Sequence, residues 1–263
     1  MIFTHNISPI LLELGPIELR WYGLMYAIGL GLFYLVTTWI FKREKLSVRH
    51  LDSLVIWLFF GLLIGARLGH VFFYEATYYL ANPWQILAIW NGGLASHGGA
   101  LGIFLGYFGW CRFNKVKFGE YVNAIVVGMP LAAGFVRVGN FFNSEIVGYP
   151  TGSDFGVIFA RLGEDFARHP VQLYSALFNF VLFGVLLAIY KKWYRKMPKV
   201  SLMVVYVFLE FSGRFVLEFW KDLQGPVPED WGMTTGQFLS VWPVAICLIY
   251  FGYLFFAPKF QKK

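Results

Sequence analysis

Residues 137–148 read RVGNFFNSEIVG and follow the apolar run AIVVGMPLAAGFV with no loop-like punctuation between them. Polar side chains in hydrocarbon are costly and need partners. Arg137, Asn140, Asn143 and Glu145 are therefore candidates for a site rather than decoration. Other apolar runs carry costly groups of their own: Tyr22, Arg67, His97, Arg214 and Glu218. Glu218 follows Arg214 by four residues, so both lie on one face of a helix. Arginine forks match phosphate oxygens bidentately. Three arginines against one or two carboxylates leave excess positive charge, which suits an anionic headgroup. Histidine takes or gives a proton near neutral pH. Arginines with a proton carrier fit the displacement of a phosphate-containing leaving group. A metal centre is not expected, because there is no HExxH and no clustered His or Asp. A protein nucleophile is not expected either: there is no GxSxG, and Cys111 and Cys247 form no CxxC or Cys/His pattern. Both cysteines read as small apolar fillers.

Each group also has a plainer reading. A lone arginine snorkels to the interface. A Glu–Arg pair on one helix, Arg214 with Glu210 or Glu218, neutralises itself. Asn140 and Asn143 suit helix caps or interhelical glue. His97 suits a satisfied buried histidine, and Tyr22 an aromatic of the interface belt. What favours one site is the common level at which these groups fall.

That level comes from the elements that carry them. The chain is 58% hydrophobic, 14% charged and 21% aromatic, with a mean hydropathy of +0.58. A soluble domain has about 25% charged residues. The composition points to an all-α integral membrane protein. Runs of about 20 apolar residues occur at about 18–41, 53–74, 93–112, 121–141, 170–190, 201–220 and 236–257, which makes seven transmembrane helices. The glycine-rich WNGGLASHGGALG makes the start of the third a candidate for a re-entrant stretch. The net charge of +7 does not signal nucleic acid, because the basic residues fill gaps between apolar runs. Most lie in alternate gaps: Lys42, Arg43, Lys45 and Arg49; Arg112, Lys115 and Lys117; Lys191, Lys192, Arg195, Lys196 and Lys199; Lys259, Lys262 and Lys263. By the positive-inside rule the amino terminus is outside and the carboxyl terminus cytoplasmic. No cleavable signal peptide is expected, since the first 16 residues carry no basic segment. The whole of 1–263 reads as a single membrane domain, with 142–169 a small extracytoplasmic cap between helices four and five.

At 1.5 Å per residue, Arg67 lies about 10 Å and Arg214 about 9 Å below the outer ends of their spans. Arg137, His97 and Tyr22 lie about one turn in. Independent spans thus place their costly groups at one depth, in the outer half of the bilayer. The residues alone point to an outer-leaflet phospholipid site.

At these residues the sequence resembles the prolipoprotein diacylglyceryl transferase family. Its signature G-R-x-G-N-F-x-N-x-E-x-x-G is matched by Arg137, Gly139, Asn140, Phe141, Asn143, Glu145 and Gly148. Further matches are WYGLMY around Tyr22, GARLGHVFFY around Arg67, GGLASHGG around His97, RHPVQLY at 168–174, and GRFVLEF with Arg214 and Glu218. The blocks fall in family order and cover nearly the whole chain. The departures are Val136 for glycine, Asn91 and Asn123 for aspartate, Ser175 for glutamate and Glu210 for tyrosine.

The resemblance implies a bacterial inner-membrane, multi-pass enzyme whose site faces the outer leaflet. It would move the diacylglyceryl group of phosphatidylglycerol to the lipobox cysteine of a preprolipoprotein, forming a thioether and releasing glycerol-1-phosphate. The substrate supplies the sulfur, and no cofactor is expected. Arg137 and Arg214 would clamp the phosphate. His97 would accept the thiol proton, or an arginine would lower the thiol pKa directly. Glu218 would orient Arg214, Asn140 with Glu145 would order the loop around the headgroup, and Tyr22, Arg67, Asn143 and Gly148 would complete the binding surface. The alternative class is a divergent lipid-binding or transport protein without chemistry, toward which a carboxylate near mid-membrane, Glu210, points. A third is an enzyme of another lipid phosphate.

Overall fold

The computed structural model describes residues 1–15, 17–222 and 232–260, and only the backbone of residues 17, 91, 96, 97 and 257–260. The tail lysines Lys262 and Lys263 lie outside the described residues. Long apolar runs become helices: α1 (Trp21–Arg43), α2 (Val48–Phe73), a short α3 (Ala76–Ala81), α4 (Ser96–Phe113), α5 (Phe118–Ile125) and α6 (Met129–Phe142). After an insert come α7 (Val171–Trp193), α8 (Ser201–Leu217) and α9 (Thr235–Phe260). Every apolar run read from the sequence holds helix. Among the described residues, four helices are long and apolar enough to cross a membrane: α1, α2, α7 and α9. The pair α5 and α6, bent by 47°, makes a fifth if it counts as one span. Pro130 causes the break, since it opens the first turn of α6 and cannot continue a helix from upstream. The helix α4 starts at Ser96, a little later than expected, because Gly92 and Gly93 hold positive φ of 83° and 74°.

The helices bear out the all-α reading, and a few short strands stand beside them. Residues 1–20 build strands: β1 (Ile2–His5), β2 (Ile10–Leu14) and β3 (Ile17–Arg20). The β2–β3 hairpin turns at Gly15, φ 62°. β1 pairs in parallel with β4 (Gly156–Phe159) of the insert. Backbone groups here find partners across the chain instead of within a helix.

The chain divides into two compact units, 1–37 with 122–263 and 38–121. In the second, α2 and α4 meet along glycines spaced by four: Gly61, Gly65 and Gly69 against Gly98, Gly102 and Gly106. A Cβ on Gly69 would sit 2.7 Å from the Gly98 Cα, and one on Gly102 would collide with the Gly61 carbonyl oxygen. Small residues at this spacing let two backbones touch. Cys111, buried on α4, serves as a small filler; Cys247 on α9 does the same in the first unit.

In the first unit the insert 143–170 is tied at several points. Arg168 binds Glu164 through Nε and Nη2, both at 2.6 Å, and through Nη1 it reaches Asp222 at 2.8 Å and the Gly148 carbonyl at 3.0 Å. His5 of β1 is fully buried against Phe141 (ring centroids 4.5 Å) and Phe159 (5.7 Å). Burial holds its pKa below the ordinary 6.5, and the charge of Arg161 acts the same way. The unfolded chain therefore takes up this proton first. The stabilisation is complete above about pH 6.5 and is lost as pH falls below it. The melting temperature of the purified protein is expected to fall between about pH 7 and 5, and His5→Phe is expected to flatten that fall. An identical acid slope in the variant contradicts the assignment.

Candidate functional site

The signature stretch ends α6 and turns into the insert, and its residues divide by role. Its apolar members hold the turn in place: Phe141 packs on His5, and Phe142 stacks on Trp21 at 4.7 Å. Gly139 leaves room for Tyr22, whose Cδ2 and Cα would lie 3.0 and 3.2 Å from any Cβ placed there. The polar members bind one another. Asn140 Nδ2 donates to Glu145 Oε2 at 3.1 Å, and Asn143 Nδ2 donates to Glu145 Oε1 at 3.2 Å. Arg137 Nη1 donates to Asn140 Oδ1 at 3.3 Å. Glu145 stands between Ser144 and Ile146, both left-handed at φ 55° and 57°. A β-branched residue in that region is strained and persists only where its surroundings fix it. They do so here: Gln172 Nε2, buried at the start of α7, donates to the Glu145 carbonyl at 2.6 Å, and the Glu145 amide donates to the Asn140 carbonyl.

Gly148 lies where three chain segments meet. Its amide donates to the His169 carbonyl, and a Cβ would fall 2.5 Å from the Trp220 carbonyl oxygen and 2.6 Å from that of His169. Only glycine allows this crossing, so its part in the site is to let the insert close onto the end of α8.

From α8, Arg214 and Glu218 face the same region. Arg137 interacts electrostatically with Arg214, Glu210, Tyr22 and Glu218, and Tyr22 does so with Glu145 as well. Glu218 is buried, accepts from Lys221 Nζ at 3.1 Å and packs against Gly236 of α9. Arg137 and Arg214 both keep part of their surface accessible. Two guanidiniums are thus held within mutual repulsion, and of the nearby carboxylates Glu145 and Glu218 are already hydrogen-bonded elsewhere. Such a pair suits a ligand that brings negative charge.

Of the ten site residues read from the sequence, Tyr22, Arg137, Asn140, Asn143, Glu145, Gly148, Arg214 and Glu218 come together in the first unit. Gln172, Lys221 and Arg168 join them and were missed as site residues, although Gln172 and Arg168 lie in the RHPVQLY block. Arg67 and His97 belong to the second unit. His97 is the second residue of α4, and its side chain lies outside the described residues, as does that of Asn91. Arg67 is 4% exposed, and its donors serve backbone. Nε donates to the Ile86 carbonyl at 2.9 Å, Nη1 to those of Gly92 and Gly93, and Nη2 to those of Gln85 and Ala88. Its face stacks on Tyr79 at 4.9 Å. A guanidinium has five N–H donors, and here five carbonyls of the chain leading into α4 receive them. Lysine keeps the charge but offers three donors. A fully buried carbonyl left without a partner costs about 1–3 kcal/mol; the Ala88 carbonyl is buried and the other four are part-buried. Arg67→Lys is therefore expected to lower the melting temperature sharply. A rise in lipid KM with an unchanged melting temperature would mark Arg67 as a direct ligand of substrate instead.

The family model described as prolipoprotein diacylglyceryl transferase matches residues 9–253. The chain belongs to the prolipoprotein diacylglyceryl transferase family. Relatives named phosphatidylglycerol–prolipoprotein diacylglyceryl transferase agree with this. One from Chloroherpeton thalassium is 40% identical over 242 residues, covering 92% of this chain and 90% of that one. One from Tolumonas auensis is 39% identical, covering 90% and 91%. One from Bacteroides fragilis is 36% identical over 269 residues, covering 98% and 96%. The match to prolipoprotein diacylglyceryl transferases runs through both units and includes every site residue named above.

Proposed function

We propose that this chain transfers the diacylglyceryl group of phosphatidylglycerol to the lipobox cysteine of a preprolipoprotein, forming a thioether and releasing glycerol-1-phosphate. The observation that carries the reading is the pair Arg137 and Arg214, brought together from α6 and α8 against their own repulsion. The phosphate settles between them, and the negative charge that grows on it during displacement is stabilised there. Glu218 holds Arg214's neighbourhood in register. The knot of Asn140, Asn143 and Glu145 fixes the turn that presents Arg137, and Tyr22 borders the lipid. The thiol must lose its proton, since thiolate is the nucleophile. His97 and the arginines themselves are the two routes that the sequence offers for that step.

In this reading residues 1–263 form one membrane domain with seven crossings, α4 and α8 completing the set. The amino terminus is outside, the carboxyl terminus cytoplasmic, and the insert caps the outer face of a bacterial inner membrane. The alternation of basic gaps supports the orientation.

The test is transfer itself. Purified protein meets phosphatidylglycerol and a lipobox peptide, beside a peptide with serine for the cysteine. A diacylglyceryl mass increase on the cysteine peptide alone supports the reading. No transfer with lipid still bound makes the chain a lipid-binding relative.

A further inference from the structure

Glu210 enters the site so far only through its electrostatic interaction with Arg137. It lies one turn before Arg214 on α8, as Glu218 lies one turn after, so the three share a face. The three carboxylates of this region differ in their commitments. Glu145 holds two asparagines, and Glu218 holds Lys221. Glu210 Oε2 is buried and has no hydrogen-bond partner among the described residues. Buried polar atoms of native proteins are nearly always paired, so one beside a reaction centre calls for an explanation. The charged groups that reach it are Arg137 from α6 and Arg214 from its own helix, while Tyr206 interacts with it from one turn back.

Position along α8 adds direction. The carboxyl end of α8 meets the insert, where Lys221 bridges to Gly148 and Asp222 binds Arg168. Glu210 is one turn, about 6 Å, farther from the insert than Arg214. In a displacement at carbon the nucleophile arrives opposite the leaving group. If the phosphate is held at the arginines, a carboxylate one turn farther from the insert stands where a thiol arriving opposite the leaving group would pass.

We propose that Glu210 is a catalytic residue, the group that accepts the thiol proton. The proposal rests on the transferase reading above. The S–H bond breaks, its proton passing to Glu210 Oε2 and its electron pair remaining on sulfur. That pair forms the C–S bond to the glyceryl carbon as the C–O bond to phosphate breaks, and the bonding pair leaves with glycerol-1-phosphate. Glu210 then returns the proton to the departing phosphate, which restores the carboxylate. A carboxylate competes for a thiol proton where water is kept from it, and burial of Oε2 meets that condition.

The test uses the full chain with phosphatidylglycerol and two lipobox peptides, one carrying cysteine and the other selenocysteine. The selenol is already ionised at neutral pH and needs no base. Wild type must first transfer to the cysteine peptide; if it does not, the transferase reading fails and not this one. Glu210→Gln is expected to lower kcat for the thiol by about 10²- to 10⁴-fold at neutral pH, the usual worth of a general base. The deficit is expected to shrink as pH nears the thiol's own pKa of about 8.5. The lipid KM is expected to hold, and the selenol peptide to react nearly as with wild type. A thiol rate within about threefold of wild type, or equal losses with thiol and selenol, overturns the proposal. So does the selenol-rescued pattern appearing in His97→Gln and not in Glu210→Gln. If Glu210→Gln does not purify, Glu210→Asp carries the same comparison: a lower thiol rate with an unchanged selenol rate supports it, and equal losses overturn it.

Discussion

Arg137→Ala and Arg214→Ala are each expected to abolish measurable diacylglyceryl transfer while the protein still inserts and purifies. Removing one donor aimed at developing charge costs about 10²- to 10³-fold in rate. Here the loss is larger, because each substitution also exposes an anionic ligand to carboxylates that the arginine offset, Glu210 and Glu218 among them. The two variants are not equivalent. Arg137→Ala frees Asn140 Oδ1 as well, whereas Arg214→Ala leaves the asparagine–glutamate knot intact. Arg→Lys at either position keeps the charge without the fork and is expected to retain a small fraction of the rate. Initial rates with saturating phosphatidylglycerol are the measurement. Near-normal turnover by either alanine variant would remove that residue from the phosphate clamp.

The second large effect concerns the α2–α4 seam. Gly102→Ala puts a methyl group into the Gly61 carbonyl, which is backbone and cannot swing aside. Overpacking costs about 1–3 kcal/mol and sometimes more. At the upper end that is about 6–12 °C in Tm for a chain of this size. Gly102→Leu is expected to prevent a stable fold. Gly184→Ala on α7, where a Cβ meets nothing within 4 Å, is the control and is expected to melt like wild type. Thermal unfolding in detergent decides it. A Gly102→Ala protein that melts with the control would mean that the seam opens at little cost.

Much of this was legible in the sequence because hydrocarbon enforces local rules. Backbone groups in lipid pair within their own helix, so each apolar run announced its element, although the Gly-Met-Pro that breaks α5 from α6 was read through as one span. The polar site was legible for the same reason. Arg137, Asn140 and Glu145 are too costly in an apolar run to be incidental, and they prove to bind one another. What was not legible depended on distant partners. The pairing of β1 with β4 joins residues some 150 positions apart, and no local pattern in IFTH specifies it. Arg67 advertised its cost but not its ligands, which are carbonyls and carry no side-chain signature. Glu210 stood out as a departure, as a partner for Arg214 and as a carboxylate near mid-membrane, but not by its unpaired oxygen, whose state depends on what surrounds it.

The same β1–β4 pairing sets a clock on synthesis. Ile2–His5 leave the ribosome first, yet their partner Gly156–Phe159 follows only after α1 to α6 have been made. At about 5–20 residues per second, the strand waits roughly eight to thirty seconds for its mate. Throughout that interval His5 lacks Phe159, one of the two rings that bury it, and so cannot yet hold Phe141 in its final packing. The site thus matures late in biogenesis, after most of the membrane helices are already in place.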